Sequence, residues 1–185
     1  QEHKVVPKLV IVKSNTASQV IEVYVRMKMR YADDIGIEVE VAAVDELEMI
    51  KYIESANTDS NVHGIIVQLP LKDSSQTEMI VDAISPQKDV DGLGEHAQFF
   101  SATAEAIDSL LAGYNIELTH KRIAILGRGR LVGAPLEKLW SNQGHQVISF
   151  DVDSGDITQG LQQSDIIVTA TGVPGRLTNT DIGEG

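Results

Sequence analysis

The sequence predicts an α/β protein of two units, each a parallel sheet wrapped by helices. Three observations carry that expectation. Short β-branched runs alternate with helical stretches of roughly 10–15 residues, the alternation breaks and restarts in mid-chain, and one later run empties into a glycine-rich turn. Such alternation implies βαβ crossovers, because parallel neighbours cannot be joined by a tight hairpin.

The first strand is "KLVIV" at residues 8–12. In the following "SNTASQ", Thr16 and Gln19 stand at capping-box spacing, and Ile21, Val25, Lys28 and Met29 recur at helical intervals until Gly36, a predicted C-cap. Residues 37–44, "IEVEVAAV", read as a second strand, "DELEMIKYIESANTD" as an amphipathic helix with an acidic start, and "HGIIVQLPL" as a third, fully buried strand ending at Pro70. "SSQTEMIVDAIS" supplies another helix and "PQKDVDGLGE" a run of turns. The rhythm restarts after the helical "SATAEAIDSLLAGY": strand 122–126, helix from about 132 to 143, strand 146–150, short helix 157–163, strand 165–170. The domain change is placed within residues 93–112, with a helix at 104–111 as its bridge. That division gives a unit at 1–100, a second at 101–178, and 179–185 as the start of a tail that is cut short.

Composition narrows the function classes. The chain has 185 residues, 42% hydrophobic and 23% charged, with 15 Lys+Arg against 27 Asp+Glu for a formal net charge of −12. That balance argues against a general nucleic-acid or anionic-membrane binder. The absence of cysteine rules out disulfides and thiolate metal sites and fits a reducing compartment. No basic-then-apolar leader and no apolar run approaching the ~20 residues of a membrane span is found, so a soluble, cytoplasmic protein without a metal site is expected.

The glycine-rich turn is "ILGRGRLVGAP", where Gly127, Gly129 and Gly133 give G-x-G-x-x-x-G, one residue longer than the usual dinucleotide fingerprint. In a Rossmann unit the first glycine permits the tight turn, the second admits a pyrophosphate, and the third lets helix and strand pack closely. The spacing alone is equally that of a structural βα turn. Its context favours a dinucleotide: a strand precedes it, a helix follows, and the next strand ends in Asp151, where a carboxylate can hold ribose hydroxyls. Asp151, with Asp153 beside it, repels a ribose 2′-phosphate and so favours NAD. Arg128 and Arg130 are the cations that leave NADP open.

In the first half, Tyr24 and Lys28 project from one helix face, one turn apart. A lysine partly desolvated on such a face can move protons near neutral pH, although a solvated lysine is the commoner case. Gln68 interrupts an apolar run near the C-terminal end of a parallel strand, where ligands bind and a buried amide must find partners. "KDVDG" sets two carboxylates in a turn, acceptors for the N–H groups of a heterocycle.

These pieces, in this order and at about these separations, resemble the bifunctional methylenetetrahydrofolate dehydrogenase/cyclohydrolase family: "ASQV…YVRMKMRYADDIGI", "HGIIVQLPL", "PQKDVDGL", "GRGRLVGAP" and "SDIIVTATGVPGRLT". The pairing of "VQLPL" with "KDVDG" is the most specific part, and the similarity runs over about residues 7–178. The resemblance implies NAD(P)-dependent oxidation of methylene-tetrahydrofolate to methenyl-tetrahydrofolate and hydrolysis of that product to 10-formyl-tetrahydrofolate. It implies two α/β domains with a cleft between them and a homodimer formed through the cofactor domain. By position, Lys28 would assist proton movement, Tyr24 would pack on the folate, Gln68 would position Lys28, and Asp91 would bind the pterin edge. Gly127, Arg128, Gly129, Arg130, Val132 and Gly133 would surround the cofactor phosphates, with Thr171 and Gly172 near its other end.

The chain departs from the family's pattern at several points. Ser18 precedes Tyr24 by six residues where three are usual, so residues 21–23 read as an insertion; Tyr24 and Lys28 are carried over and Ser18 is not. A Pro-Cys-Thr-Pro-x-Gly loop that borders the family's site is replaced by "SATAEA" at residues 101–106, which keeps only Thr103. Gly129 stands where the family usually has serine, and Val152 where NADP-dependent members carry one. The family's last strand, folate-binding loop and C-terminal helix would lie beyond residue 185. Against the enzyme stands a second reading, a dinucleotide- or folate-binding relative without turnover. Retention of Tyr24, Lys28, Gln68 and Asp91 together favours the enzyme.

Overall fold

The structure, a computed structural model, describes residues 5–183; the first four residues and the end of the 179–185 segment lie outside the described residues. Two compact units divide between Phe99 and Phe100.

In the first unit, β1 (Lys8–Ser14), β2 (Glu38–Val44) and β3 (Gly64–Val67) form a parallel sheet in the order β2-β1-β3. The central β1 faces apolar layers on both sides, and its alternation assigns them. Val10 and Val12 pack with Ile65 and Val67 against Met49 and Ile53 of α2 (Met49–Thr58) and Ile80 and Val81 of α3 (Thr77–Asp82). Ile11, on the opposite face, meets Ile21 and Val25 of α1 (Gln19–Ile35). Gly36 closes α1 at φ +76°, its amide reaching the carbonyls of Ala32 and Asp33, as the C-cap reading required.

Several local expectations are corrected. The Thr16–Gln19 capping box does not form: Ser18 caps α1 by accepting from the Ile21 amide at 3.4 Å, while the Thr16 hydroxyl pairs with that of Ser14. Ser18 therefore stands outside the helix that carries Tyr24. The third strand stops at Val67, short of Pro70; the Gln68 amide makes the last bond, to Val12, and a proline has no N–H to continue the ladder. Both helices beginning with acidic or hydroxyl residues open instead with 3₁₀ turns, Glu46–Glu48 and Ser74–Gln76, because Asp45 and Asp73 accept from the amides two residues on and tighten the chain there.

The second unit repeats the layout with β4 (Arg122–Leu126), β5 (Gln146–Phe150) and β6 (Ile166–Thr169) in the order β5-β4-β6, all parallel. The helix expected as a bridge is α4 (Ala102–Gly113), and its Ala104 packs into this unit's own core with Leu118, Ile123, Ile125 and, from α5 (Gly133–Asn142), Leu136, Leu139 and Trp140. The Trp140 indole, fully buried, donates to Asp108 of α4 at 2.8 Å. Residues 101–106 are thus not an open loop: Ser101 is buried and Thr103 lies exposed on the first turn of α4. A short α6 (Thr158–Gln162) precedes β6. Among the described residues no helix is long and apolar enough to cross a membrane.

Candidate functional site

The first sheet delivers three polar groups to the C-terminal ends of its strands. Because Val67 is paired with Val12 in register, Gln68 emerges just past β3, on the sheet face that also receives α1. Lys28, half-buried on α1, donates from Nζ to Gln68 Oε1 at 3.0 Å, and the Gln68 amide nitrogen donates to the Leu69 carbonyl at 3.1 Å. The carboxamide is held at both ends, so its oxygen can only face the lysine. Tyr24, one turn earlier, is 55% exposed and available for a flat ligand.

The two carboxylates of "KDVDG" have separate fates. Asp89 is 1% exposed and spends its oxygens on the amides of Gly92 (3.0 Å) and Gly94 (2.8 Å). The turn is further tied down by Ile65 N–H donating to the Lys88 carbonyl at 2.7 Å, and by Lys88 Nζ donating to the carbonyls of Ala56 and Asp59 at the end of α2. Asp91 is left without a hydrogen-bond donor among the described residues. Burial pushes its carboxyl above the usual range; Lys28 pulls it back down and Asp89 pushes it further up. Asp91 is therefore a partly buried acceptor influenced by Lys28, with oxygens open to a ligand N–H.

In the second unit a groove of about 710 Å³ opens at the C-terminal ends of β4, β5 and β6. Gly127, Arg128, Gly129, Asp151 and Thr171 line it, as do Val152 and Arg176. Gly127 takes φ +102°, and a Cβ there would lie 2.8 Å from the Ala170 carbonyl oxygen. At Gly133 a Cβ would fall 1.8 Å from the Gly127 oxygen, so the third glycine serves close packing of α5 on the turn. Gly129 has open space around it, which leaves its backbone approachable from the groove. Val132 is the N-cap residue of α5, and Arg130, Val132, Gly133 and Gly172 shape or flank the turns without lining the groove.

Asp151 lies past the end of β5 with both of its side-chain hydrogen bonds on Oδ1, from the Asp153 amide (3.0 Å) and the Ser154 hydroxyl (2.9 Å). The Ser154 hydroxyl, then the Asp153 amide and more weakly Arg128 hold its carboxyl below the usual range. Ser154, Asp89, Arg176 and Glu137, which receives the Arg128 Nε at 3.1 Å, were not singled out from the sequence for these parts. Ser154 follows Asp151 at the spacing of a hydroxyl-closed turn, which is a local signal; the Glu137 contact has no comparable one.

A half with an amide past β3 facing a lysine of α1, followed by a glycine-turn half with an acidic residue after its second strand, defines a two-part α/β protein whose second unit is of the Rossmann type. The comparisons are specific. Residues 1–91 match the tetrahydrofolate dehydrogenase/cyclohydrolase catalytic domain and residues 101–185 the NAD(P)-binding domain of the same proteins. The "Bifunctional protein FolD" of Lacticaseibacillus casei is 35% identical over 188 residues, 94% of this chain and 65% of that protein. The bifunctional FolD structure from Campylobacter jejuni superposes with a TM-score of 0.86 at 28% identity, over 98% of this chain and 68% of that one. The Trypanosoma brucei dehydrogenase–cyclohydrolase, solved with NADP and an inhibitor, gives 0.81 at 27% identity, over 97% and 66%. The chain belongs to the tetrahydrofolate dehydrogenase/cyclohydrolase family. It spans about 65% of the length of the curated relatives that match it.

Proposed function

We propose that this chain carries the two folate activities of its family: oxidation of 5,10-methylene-tetrahydrofolate with NAD(P) and hydrolysis of the methenyl product to 10-formyl-tetrahydrofolate. The observation that carries the proposal is the Lys28–Gln68 hydrogen bond beside the desolvated, donor-less Asp91.

The roles are those the family resemblance implies, and the Lys28–Gln68 contact supports them. The Asp91 carboxylate accepts N–H groups of the pterin edge, which returns the hydrogen bonds that burial took from it. Tyr24 offers its exposed ring as a stacking surface. Lys28, aimed by Gln68, passes protons as water adds to the cationic methenyl carbon and the ring opens. For the dinucleotide, Gly127 and Gly129 present backbone to the diphosphate and Asp151 presents its carboxylate to the ribose hydroxyls. That cofactor accepts the hydride when bound. The fit of the groove to such a ligand rests on Gly127, whose missing side chain would collide with the β6 turn. Asp151 supports NAD over NADP, since a carboxylate held below its usual pKa past the end of β5 would repel a 2′-phosphate. On the family resemblance, the proposal extends to a cytoplasmic homodimer, which sedimentation velocity checks.

The test follows absorbance of reduced nicotinamide and of methenyl-tetrahydrofolate in parallel, with methylene-tetrahydrofolate and either NAD or NADP. Both signals rising, faster with NAD, are expected. Cofactor binding without reduction of either dinucleotide would favour a binding protein instead.

A further inference from the structure

Arg128 is the side chain in the groove best suited to a phosphate, since a guanidinium offers a planar fork of donors to tetrahedral oxyanions. In this chain one edge of that fork, the Nε–H, is engaged. Arg128 Nε donates to Glu137 Oε2 at 3.1 Å, with Glu137 reaching from the second turn of α5 and only 28% exposed. On the groove side Arg128 also feels Asp151, whose carboxyl it helps to hold ionised. Arg128 thus stands between two carboxylates, Glu137 and Asp151, while Arg176 lines the same groove as a second cation.

We propose that Glu137 is a specificity-determining residue that acts through Arg128. It holds the guanidinium toward α5 and cancels its charge, so the groove refuses a ribose 2′-phosphate although the arginine that could receive one is present. The inference rests on the reading of this groove as a nicotinamide-dinucleotide site that favours NAD. Glu137 itself does not line the groove, and its influence on the ligand passes through Arg128 alone.

The experiment is calorimetric titration of the full chain with NAD⁺ and with NADP⁺, for the wild type, Glu137→Gln and Glu137→Gln/Arg128→Gln. Gln keeps the size and hydrogen bonding of Glu while removing its charge. The expected result is NADP⁺ binding tightened about threefold to fivefold in Glu137→Gln, the range of a partly exposed ion pair, with NAD⁺ affinity changed by less than about twofold and the gain abolished in the double variant. A purely structural role would weaken both dinucleotides together, and that result would overturn the proposal. So would an NAD⁺-preferring wild type whose preference is unmoved by Glu137→Gln, and this outcome leaves the NAD reading intact. A wild type that binds NADP⁺ more tightly, or binds neither, overturns the NAD reading and the role of Glu137 with it.

Discussion

Lys28 and Gln68 lie forty residues apart in sequence, yet Nζ and Oε1 meet at 3.0 Å because α1 crosses the face of the sheet from which β3 ends. The amide, fixed by its second bond to Leu69, leaves the lysine one favoured direction. Replacement of Gln68 by Met keeps the volume and removes the acceptor. Methenyl-tetrahydrofolate hydrolysis should fall by about 10²-fold, the lower end of what a positioned proton-transfer group supplies. The absorbance decay of the methenyl compound measures it, and an unchanged rate removes Gln68 from the mechanism.

Asp91 makes a pH-dependent prediction. Burial raises its folded-state pKa above the unfolded value, so its contribution to stability is fully present below the unfolded pKa and is lost as pH rises through the folded one. Above that pKa the partly buried carboxylate, without a donor among the described residues, is a liability. Asp91→Asn should melt higher than the wild type at pH 7, with the difference shrinking toward pH 3, while folate binding is lost. Thermal melts across that range check the sign, and a variant less stable at pH 7 would contradict it.

Asp89 should behave in the opposite manner. Removing its carboxylate strands the buried Gly94 amide and leaves the Gly92 amide only its longer bond to the Asp89 carbonyl, and a hydrogen bond to a charged group contributes about 1.5–3 kcal/mol. Asp89→Ala should therefore cost several times what a typical surface change does, and Asp89→Asn less, since an amide oxygen still accepts one bond. Urea unfolding of the three proteins gives the order directly.

The glycines of the second-unit turn differ in tolerance. At Gly133 a methyl group would overlap the Gly127 carbonyl, so Gly133→Ala should destabilise by about 3 kcal/mol or more and lose dinucleotide binding as the turn shifts. Gly129→Ala meets open space and should change stability by less than about 1 kcal/mol. Paired melting curves separate the two; equal effects would mean that the turn is not packed as described.

Most of the α/β architecture was legible because its signals are local. Apolar runs such as "KLVIV" and "RIAIL" can be satisfied only by burial on both faces, and the intervening helices announce their ends through residues such as Gly36. Chain order and the motif resemblance pointed to Tyr24, Lys28, Gln68 and Asp91. Where local signals compete, spacing misleads: Thr16 and Gln19 stand at capping-box spacing, yet Ser18 caps the helix and Thr16 pairs with Ser14.

The sequence by itself determined the strand and helix rhythm, the glycine turn and the residue types available for chemistry, because these follow from periodicity, propensity and spacing along one chain. Only the tertiary structure decided how those types are used. Asp89 and Asp91 are two apart and chemically identical, but one is consumed by backbone amides and the other is left desolvated near Lys28. Arg128 is a phosphate ligand by composition, and an α5 carboxylate nine residues on engages it. Which acceptor meets which donor, and which is left without one, is a property of packing in three dimensions, where burial and charge act across elements that the linear pattern treats as separate.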